Sequence, residues 1–505
     1  MSQSKTTPVA DPTWYSDIRY LFTQTDIDHM KSQSIDLTSY TDVVAIAENI
    51  YGQVATDNMP PGNPWSQAWK TTFLNWMKHD YPKGQPPSLR TTELLTDVEE
   101  SSATRKRKEI TTLSSTELDT LKKAFSGIMA KNPSDSNSYF VQAGYHWLPV
   151  PTYCEHHAPA YNPWHRVYLL SFENALRSIP GCENVTLPYW DITTPFPEVL
   201  KTAPFDSYTL PQDISEEFKA GYVTQRNSYP EIQKNLKDFG VTEDINRALT
   251  KTDWEDFHGF WSDASHNTII AAHDSGHNSI GPTMANQSVA AFDPIFWFFH
   301  ANWDRLFWKW QTLLDATSLN GLLSTINKST DPVSYQIFTI PALQNLTPFT
   351  SNPPKLNTVS IIDSKGSLDV DYEDPVTFTA MEFLAKTQRS TAASHKFSVH
   401  TDHVNVRVQG LNRLKIPGSF NVHLLKNGKR IASRALFQPV EAEKCENCVS
   451  NAIVHFDFEL PLETVLNGEL EVVVEPIDKS FVGDRFPHKL MGNPTIDIHL
   501  LLKTE

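Results

Sequence analysis

Cysteine is scarce, with four in 505 residues, too few for the disulfide framework of a small secreted scaffold. Positive charge is also short. Against 59 Asp and Glu stand 43 Lys and Arg, a formal charge of −16, and such a balance attracts neither nucleic acid nor an anionic membrane surface. No run of about 18 apolar residues is present, so no membrane span is expected. The opening residues Met1-Ser-Gln-Ser-Lys-Thr-Thr-Pro are polar and lead into no apolar signal segment. A reducing, cytoplasmic compartment is therefore the expectation.

Histidine, by contrast, is concentrated in two places. The first reads Cys154-Glu-His156-His157 through Asn-Pro163-Trp164-His165-Arg166, with His146 a short way upstream. The second reads His273-Asp-Ser-Gly-His277, followed by Phe296-Trp-Phe-Phe299-His300-Ala-Asn-Trp-Asp304-Arg305. Neutral imidazoles with no carboxylate or thiolate set beside them favour copper over harder ions. Two sets of three would hold a pair of metals. His273 and His277 are spaced i and i+4, so on a helix both rings leave one face. A zinc-protease reading needs glutamate directly after the first histidine, and Asp274 stands there instead. His266 lacks a partner four residues on, where Ile270 lies. Phe296, one turn before His300, is placed to pack over a metal, and Asp304 and Arg305 to bond neighbouring helices or orient a ligand histidine. His157 is expected to point elsewhere.

The length allows two or three domains. From Trp14 to about Pro82 short helical patterns alternate with turns, including Tyr40–Tyr51 and Trp69–Met77. This stretch weakly resembles small haem-domain sequences but has no Cys-x-x-Cys-His, so a packing extension without haem is expected. A charged segment, Lys83 to about Lys108, reads as a surface linker. Ser114-Ser-Thr-Glu117 ahead of an apolar run is a helix-capping signature. Helical spacing dominates to about residue 315. Near Lys396 the period becomes two, in Phe397-Val399, Val404-Val406-Val408, Phe420-Val422-Leu424 and Val454-Phe456-Phe458, with a hairpin signal at Asn427-Gly428. The expected division is a helical extension and linker over 1–105, a catalytic domain over 106–390, and an antiparallel, β-sandwich-like domain over 391–505.

The histidine motifs carry a family resemblance. His156 through His165-Arg166, Leu187-Pro-Tyr-Trp-Asp191, Ala290-Ala-Phe-Asp-Pro-Ile-Phe-Trp297 and His300-Ala-Asn-Trp-Asp-Arg305 resemble the two signatures of the tyrosinase and catechol oxidase family of type 3 copper proteins. The likeness is close over about 106–320 and looser over the β-domain, which is similar to that of fungal-type members. It implies a mainly α fold with a four-helix-bundle core, a frame suited to inward-facing metal ligands. It further implies one copper on His146, His156 and His165 and a second on His273, His277 and His300. The implied activity is oxidation of o-diphenols to o-quinones by dioxygen, with hydroxylation of monophenols in some members. Dioxygen and small phenols are then the partners, and assembly into a homo-oligomer stays open.

Further readings come with the family. A thioether between Cys154 and His156 is implied by the Cys-x-His spacing of fungal-type relatives. Cys445-Glu-Asn-Cys448 reads as a redox pair, half a metal site, inert thiols or a local disulfide, and in such relatives a similar pair is linked to copper loading. The β-domain of those relatives plugs the copper pocket with a side chain. The segment ending in Phe486 and Met491 is the expected plug, unless these two complete the β-domain core.

This chain also departs from the pattern. Phe299 stands where many members have a second histidine. Asp274 replaces the asparagine that often accompanies monophenol hydroxylation, and no glutamate occurs from Phe257 to Ala272. Asp263 is the nearest acidic candidate, Asp274 is a candidate base for an incoming phenol, and Asn278 a candidate helper. The alternative class is an oxygen carrier of the haemocyanin kind, disfavoured here because no secretion signal is visible.

Overall fold

The computed structural model describes residues 105–259, 268–349, 356–373, 403–477 and 486–500, and most of 8–83 apart from 15–16, 23–25, 27–28, 31–34, 36, 38, 57–58 and 60–63. Most of the expected linker, Asp263, His266, the Phe397-Val399 run and the boundary near residue 390 lie outside these residues. The chain divides into two compact units, Met1–Ser102 and Ala103–Glu505.

In the first unit the helical spacing yields helices Tyr40–Ala45, Ala47–Ala55 and Gln67–Lys78. The Ser66 hydroxyl caps the last of these by accepting from the Trp69 amide. Aromatic packing holds the unit together, with the Trp76 ring 5.4 Å from Phe73 and 5.2 Å from Tyr81. An apolar cavity of about 420 Å³ lies between Phe22, Ile50 and Trp65. It is remote from the histidine motifs in sequence and contains none of their residues.

The second unit joins a helical part to two antiparallel sheets. Ser114 and Glu117 form the anticipated capping box at the start of helix Ser115–Met129. Helices Tyr161–Arg177, Ile269–Ile280 and Ile295–Leu313 follow. A short parallel pair, β1 (Arg105–Arg107) and β2 (Val370–Tyr372), ties the start of the unit to the end of its helical part. The Tyr161 and Ile295 helices pack through stacked rings, with Phe172 3.5 Å from Trp297.

Buried charge locks the same two helices. Asp304 accepts from Arg166 Nε at 2.6 Å and from the Tyr372 hydroxyl at 2.6 Å, and lies 3.4 Å from Arg107. Glu173 accepts from Arg107 Nε at 2.9 Å. Because Arg166 adjoins His165 and Asp304 lies one turn from His300, this network fixes the two helices from which those histidines project. Among the described residues the bonds of the Asp304 carboxylate go to Arg166 of the Tyr161 helix and to Arg107 and Tyr372 of the β1–β2 pair, so it links its helix to these neighbours. Asp304→Ala leaves buried Arg166 without its anionic partner, while Arg107 keeps Glu173, and should cost about 3–5 kcal/mol, read as a lower denaturant midpoint at unchanged slope.

The C-terminal strands are β3 (His403–Asn412), β4 (Phe420–Lys426), β5 (Lys429–Leu436), β6 (Ile453–Pro461), β7 (Leu470–Pro476) and β8 (Thr495–Leu500). They form two three-stranded antiparallel sheets, ordered β6-β3-β8 and β5-β4-β7. The period-two residues Val404, Val406 and Val408 of one sheet and Val422 and Leu424 of the other share one core. Asn427 and Gly428 both take positive φ, 51° and 74°, which the tight β4–β5 turn requires. Phe486 and Met491 are buried in that same core. They complete the β-domain and are not the plug.

Candidate metal centre

Six imidazoles converge in the second unit. His273 and His277 project from one face of the Ile269 helix, and Gly276 between them admits a close neighbour. A Cβ there would stand 2.7 Å from the ring of Phe299, so the Ile295 helix could not approach as it does. His300 projects from that helix, His165 from the Tyr161 helix, His146 from just beyond helix Tyr139–Gly144, and His156 from a loop. Ring nitrogens of His146, His156 and His165, with the Cys154 sulphur, lie within 4.8 Å of one another, and those of His273, His277 and His300 form a second such group. The two groups adjoin: His165 and His300 stack at 4.6 Å, and His156 lies 5.6 Å from His273.

Burial holds all six rings below the ordinary imidazole range, His146 at about 3. They are neutral donors at neutral pH. Nδ1 of His165 donates to Tyr161 O at 2.9 Å, and Nδ1 of His277 to Met284 O at 2.7 Å. Each proton is thereby placed on Nδ1 and a lone pair left on Nε2. Nε2 of His277 faces Nε2 of His300 at 3.2 Å, and Nε2 of His273 has no hydrogen-bond partner among the described residues. Buried lone pairs left this way are what a bound cation would satisfy. All-imidazole sets suit copper, so the two groups are consistent with a dinuclear copper centre.

Aromatic rings enclose the cluster, Phe299 at 4.7 Å from His277 and Trp164 at 4.9 Å from His165 among them. Phe296 lies 4.0 Å from His300 and 4.9 Å from His146, as its position one turn before His300 predicts. Tyr161 lies 4.4 Å from His165 and 5.1 Å from His273. Phe437, just past β5, stacks on His277 at 3.9 Å with 11° between the planes, and lies 5.3 Å from His156. The β-domain therefore does send a side chain against the histidines, from the end of β5, whereas among the described residues of the tail segment Phe486 and Met491 lie in the β-domain core.

Other assignments change. Asp274 does not point at open space as a base would. Its Oδ1 accepts from His273 Nδ1 at 2.9 Å, and its Oδ2 from His157 Nε2 at 2.9 Å and the Phe437 amide at 3.1 Å. Burial alone would raise its pKa, but His157 and His273 outweigh that and hold it at about 2, too low for a proton acceptor matched to neutral pH. Asn278 turns away from the metal groups: its amide donates to Phe420 O at 3.2 Å and to Asn421 Oδ1 at 3.0 Å. It ties the Ile269 helix to the β-domain. Arg305 bonds Asp191 at 3.1 Å.

The cysteines are placed distinctly. Cys154 Sγ is 3.0 Å from Nδ1 and 3.8 Å from Nε2 of His156, against one edge of that ring. Burial pushes its thiol well above the ordinary range. Cys445 and Cys448 are joined as a disulfide, one of the readings left open. Asn447 between them reaches His156 O at 3.5 Å.

Sequence reasoning missed four residues. His157, set aside, is buried against Asp274; its φ of 49° turns it away from His156. Gln287 brings its carboxamide 2.6 Å from His156 Nδ1. Arg413 lies 3.3 Å from His157 Nδ1, and Phe437 covers His277. The pair His156-His157 was itself a signal, since adjacent residues on a loop face different ways. Nothing local marks the other three.

Residues 136–313 match the model of the common central domain of tyrosinase. The chain is 26% identical over 491 residues to a tyrosinase of Hahella sp. (strain CCB-MM4), covering 69% of this chain and 85% of that one. It is 29% identical over 255 residues to hemocyanin 1 of Megathura crenulata, covering 46% of this chain and 7% of that much longer one. In fold it is similar to the tyrosinase from Burkholderia thailandensis, with a TM-score of 0.57 at 19% identity over 78% of this chain and all of that one.

Proposed function

We propose that this chain, whose central domain belongs to the tyrosinase family of type 3 copper proteins, binds two coppers and oxidises o-diphenols to o-quinones with dioxygen. The observation that carries the reading is the meeting of six neutral imidazoles in two adjoining sets of three, the first with the Cys154 sulphur beside it. His146, His156 and His165 would hold one copper and His273, His277 and His300 the other. Bound there, the copper pair supplies the activation of dioxygen.

The rest belongs to the chain's own residues. The buried aromatic lining excludes water and gives a phenol ring an apolar seat. Phe437 marks that seat, because its ring already stacks on His277. A substrate ring must take its place, so the β-domain acts as a cap over the site. Asp274 is committed to three donors and Asn278 to the β-domain. Asp274 and the Asn278 amide nitrogen are thus already occupied, which favours diphenols as the better substrates.

The carrier reading shares the same metal groups. The broad match to the Hahella tyrosinase, over most of both chains, supports the enzyme. A paired assay of a monophenol and its matched o-diphenol on copper-loaded protein tests both points. Quinone should form at once from the diphenol, and at least about tenfold more slowly, after a lag, from the monophenol. Equal turnover without a lag would remove the diphenol preference. Reversible oxygen binding with no quinone from either would make the chain a carrier.

The Cys154–His156 contact extends the proposal. The sulphur is set to join a ring carbon of the imidazole as a thioether: a C–S bond replaces the S–H and one ring C–H bond, and the two electrons and two protons released pass to dioxygen, the oxidant of the proposed reaction, giving hydrogen peroxide. Intact mass of the copper-loaded protein should fall short of the sequence by two hydrogens, mapped to the peptide holding residues 154–156. Free alkylation of Cys154 in active protein would contradict it.

A further inference from the structure

Three hydrogen bonds meet on the Asp274 carboxylate, and they come from different parts of the second unit. One is from His273 of the second histidine set; another is from the backbone amide of Phe437, in the β-domain. The third is from His157, whose other nitrogen faces Arg413 of the β-domain at 3.3 Å. All five residues are buried. Arg413 is itself held by Gln438, its Nε donating to Oε1 at 2.8 Å. A donor at His157 Nδ1 fixes the proton of that ring on Nε2, where it is given to Asp274. Cation, imidazole, carboxylate and metal-set imidazole thus stand in line.

The carboxylate sets His273 apart. The Nδ1 atoms of His165 and His277 donate to backbone carbonyls, which are neutral. His273 alone of these three has an anion behind it. A carboxylate in that place fixes the ring and raises its strength as a ligand. Asp274 can do so only while its plane is held, because the same side chain must keep one oxygen on His273. The two donors on its other oxygen do the holding: one is the Phe437 amide of the β-domain, and the other is His157, whose proton Arg413 of the β-domain fixes in place.

We propose that Asp274 is the positioning residue for the metal ligand His273, and that the β-domain strengthens the second copper site by holding Asp274 in place through the Phe437 amide and through Arg413 acting on His157. The inference rests on the dicopper reading above. It makes the β-domain a support of one metal as well as a cover over both.

Copper count against a graded copper(I) chelator tests it without recourse to activity. The parent chain should hold two coppers. If it does not, the dicopper reading itself fails. Asp274→Asn keeps an oxygen for His273 but removes the charge, and should release one of the two coppers at a chelator concentration about 10–100-fold lower. Arg413→Met, which reaches Asp274 through His157, should release the same copper at a few-fold lower concentration and add nothing in the Asp274→Asn background. Arg434→Gln is the control. It breaks the bond from the same domain to Phe239 O, 2.8 Å long in the parent, and should leave both coppers as tightly held as before. Two equally retained coppers in a folded Asp274→Asn chain would overturn the proposal. Tighter binding in Arg413→Met would also overturn it, since the cation would then only repel the metal. Equal loosening by Arg434→Gln would reduce the effect to general loss of domain contact.

Discussion

Alanine at His277 should abolish the oxidation of o-diphenols, by at least about a thousand-fold, because a metal held by two ligands forfeits the several kcal/mol that it contributes to the reaction. The copper count should fall from two towards one per chain. His277 is the sharpest position for this test. Its ring carries the stacked Phe437 on one side, faces His300 at 3.2 Å, and keeps its proton on Nδ1 by donating it to Met284 O. No other neutral residue at 277 can reproduce that lone pair. Full activity in His277→Ala would mean that the second histidine set is not the site of reaction.

Phe437→Ala should do the opposite to rate and harm stability. The ring is fully buried and stacked on His277. On the proposed function a phenol must displace it, which would make the competent fraction small and reduce apparent affinity in proportion. Truncation should raise the rate on a bulky o-diphenol by about 10–100-fold, equivalent to removing about 1–3 kcal/mol of competing burial. The same change should lower unfolding stability by about 3–5 kcal/mol. A larger rate with lower stability separates a plug from a purely structural ring, which would lose stability and gain nothing. Cleavage between 380 and 395 should act in the same direction, although that segment lies outside the described residues.

What the sequence made legible was local chemistry. The i, i+4 spacing of His273 and His277, the capping box at Ser114 and Glu117, and the Asn427-Gly428 turn each depend on residues a few positions apart. The two histidine signatures are of this kind as well, and they brought together all six rings. What stayed hidden depends on approach across the fold. Asp274 read as a base because its partners are 117 and 163 residues away, at His157 and Phe437. Once those contacts form, the same carboxylate becomes an acceptor with nothing left to offer.

The plug shows the limit clearly. Phe437 and Phe486 are both aromatic residues near the end of a β-domain segment, and the period-two pattern cannot choose between them. Only the packing of β5 against the Ile269 helix, where Asn278 bonds Leu436 O at 3.4 Å, brings Phe437 to the histidines. Phe486 faces the inner core of the two sheets instead. Arg413 was invisible for a similar reason, lying 256 residues from His157.

Metal analysis of the copper-loaded chain, followed by its near-ultraviolet spectrum in dioxygen, tests the central claim most directly. The account predicts two coppers per chain and an intense band that appears with dioxygen and is lost when it is removed. A single metal per chain, or two metals with no such band, would contradict it.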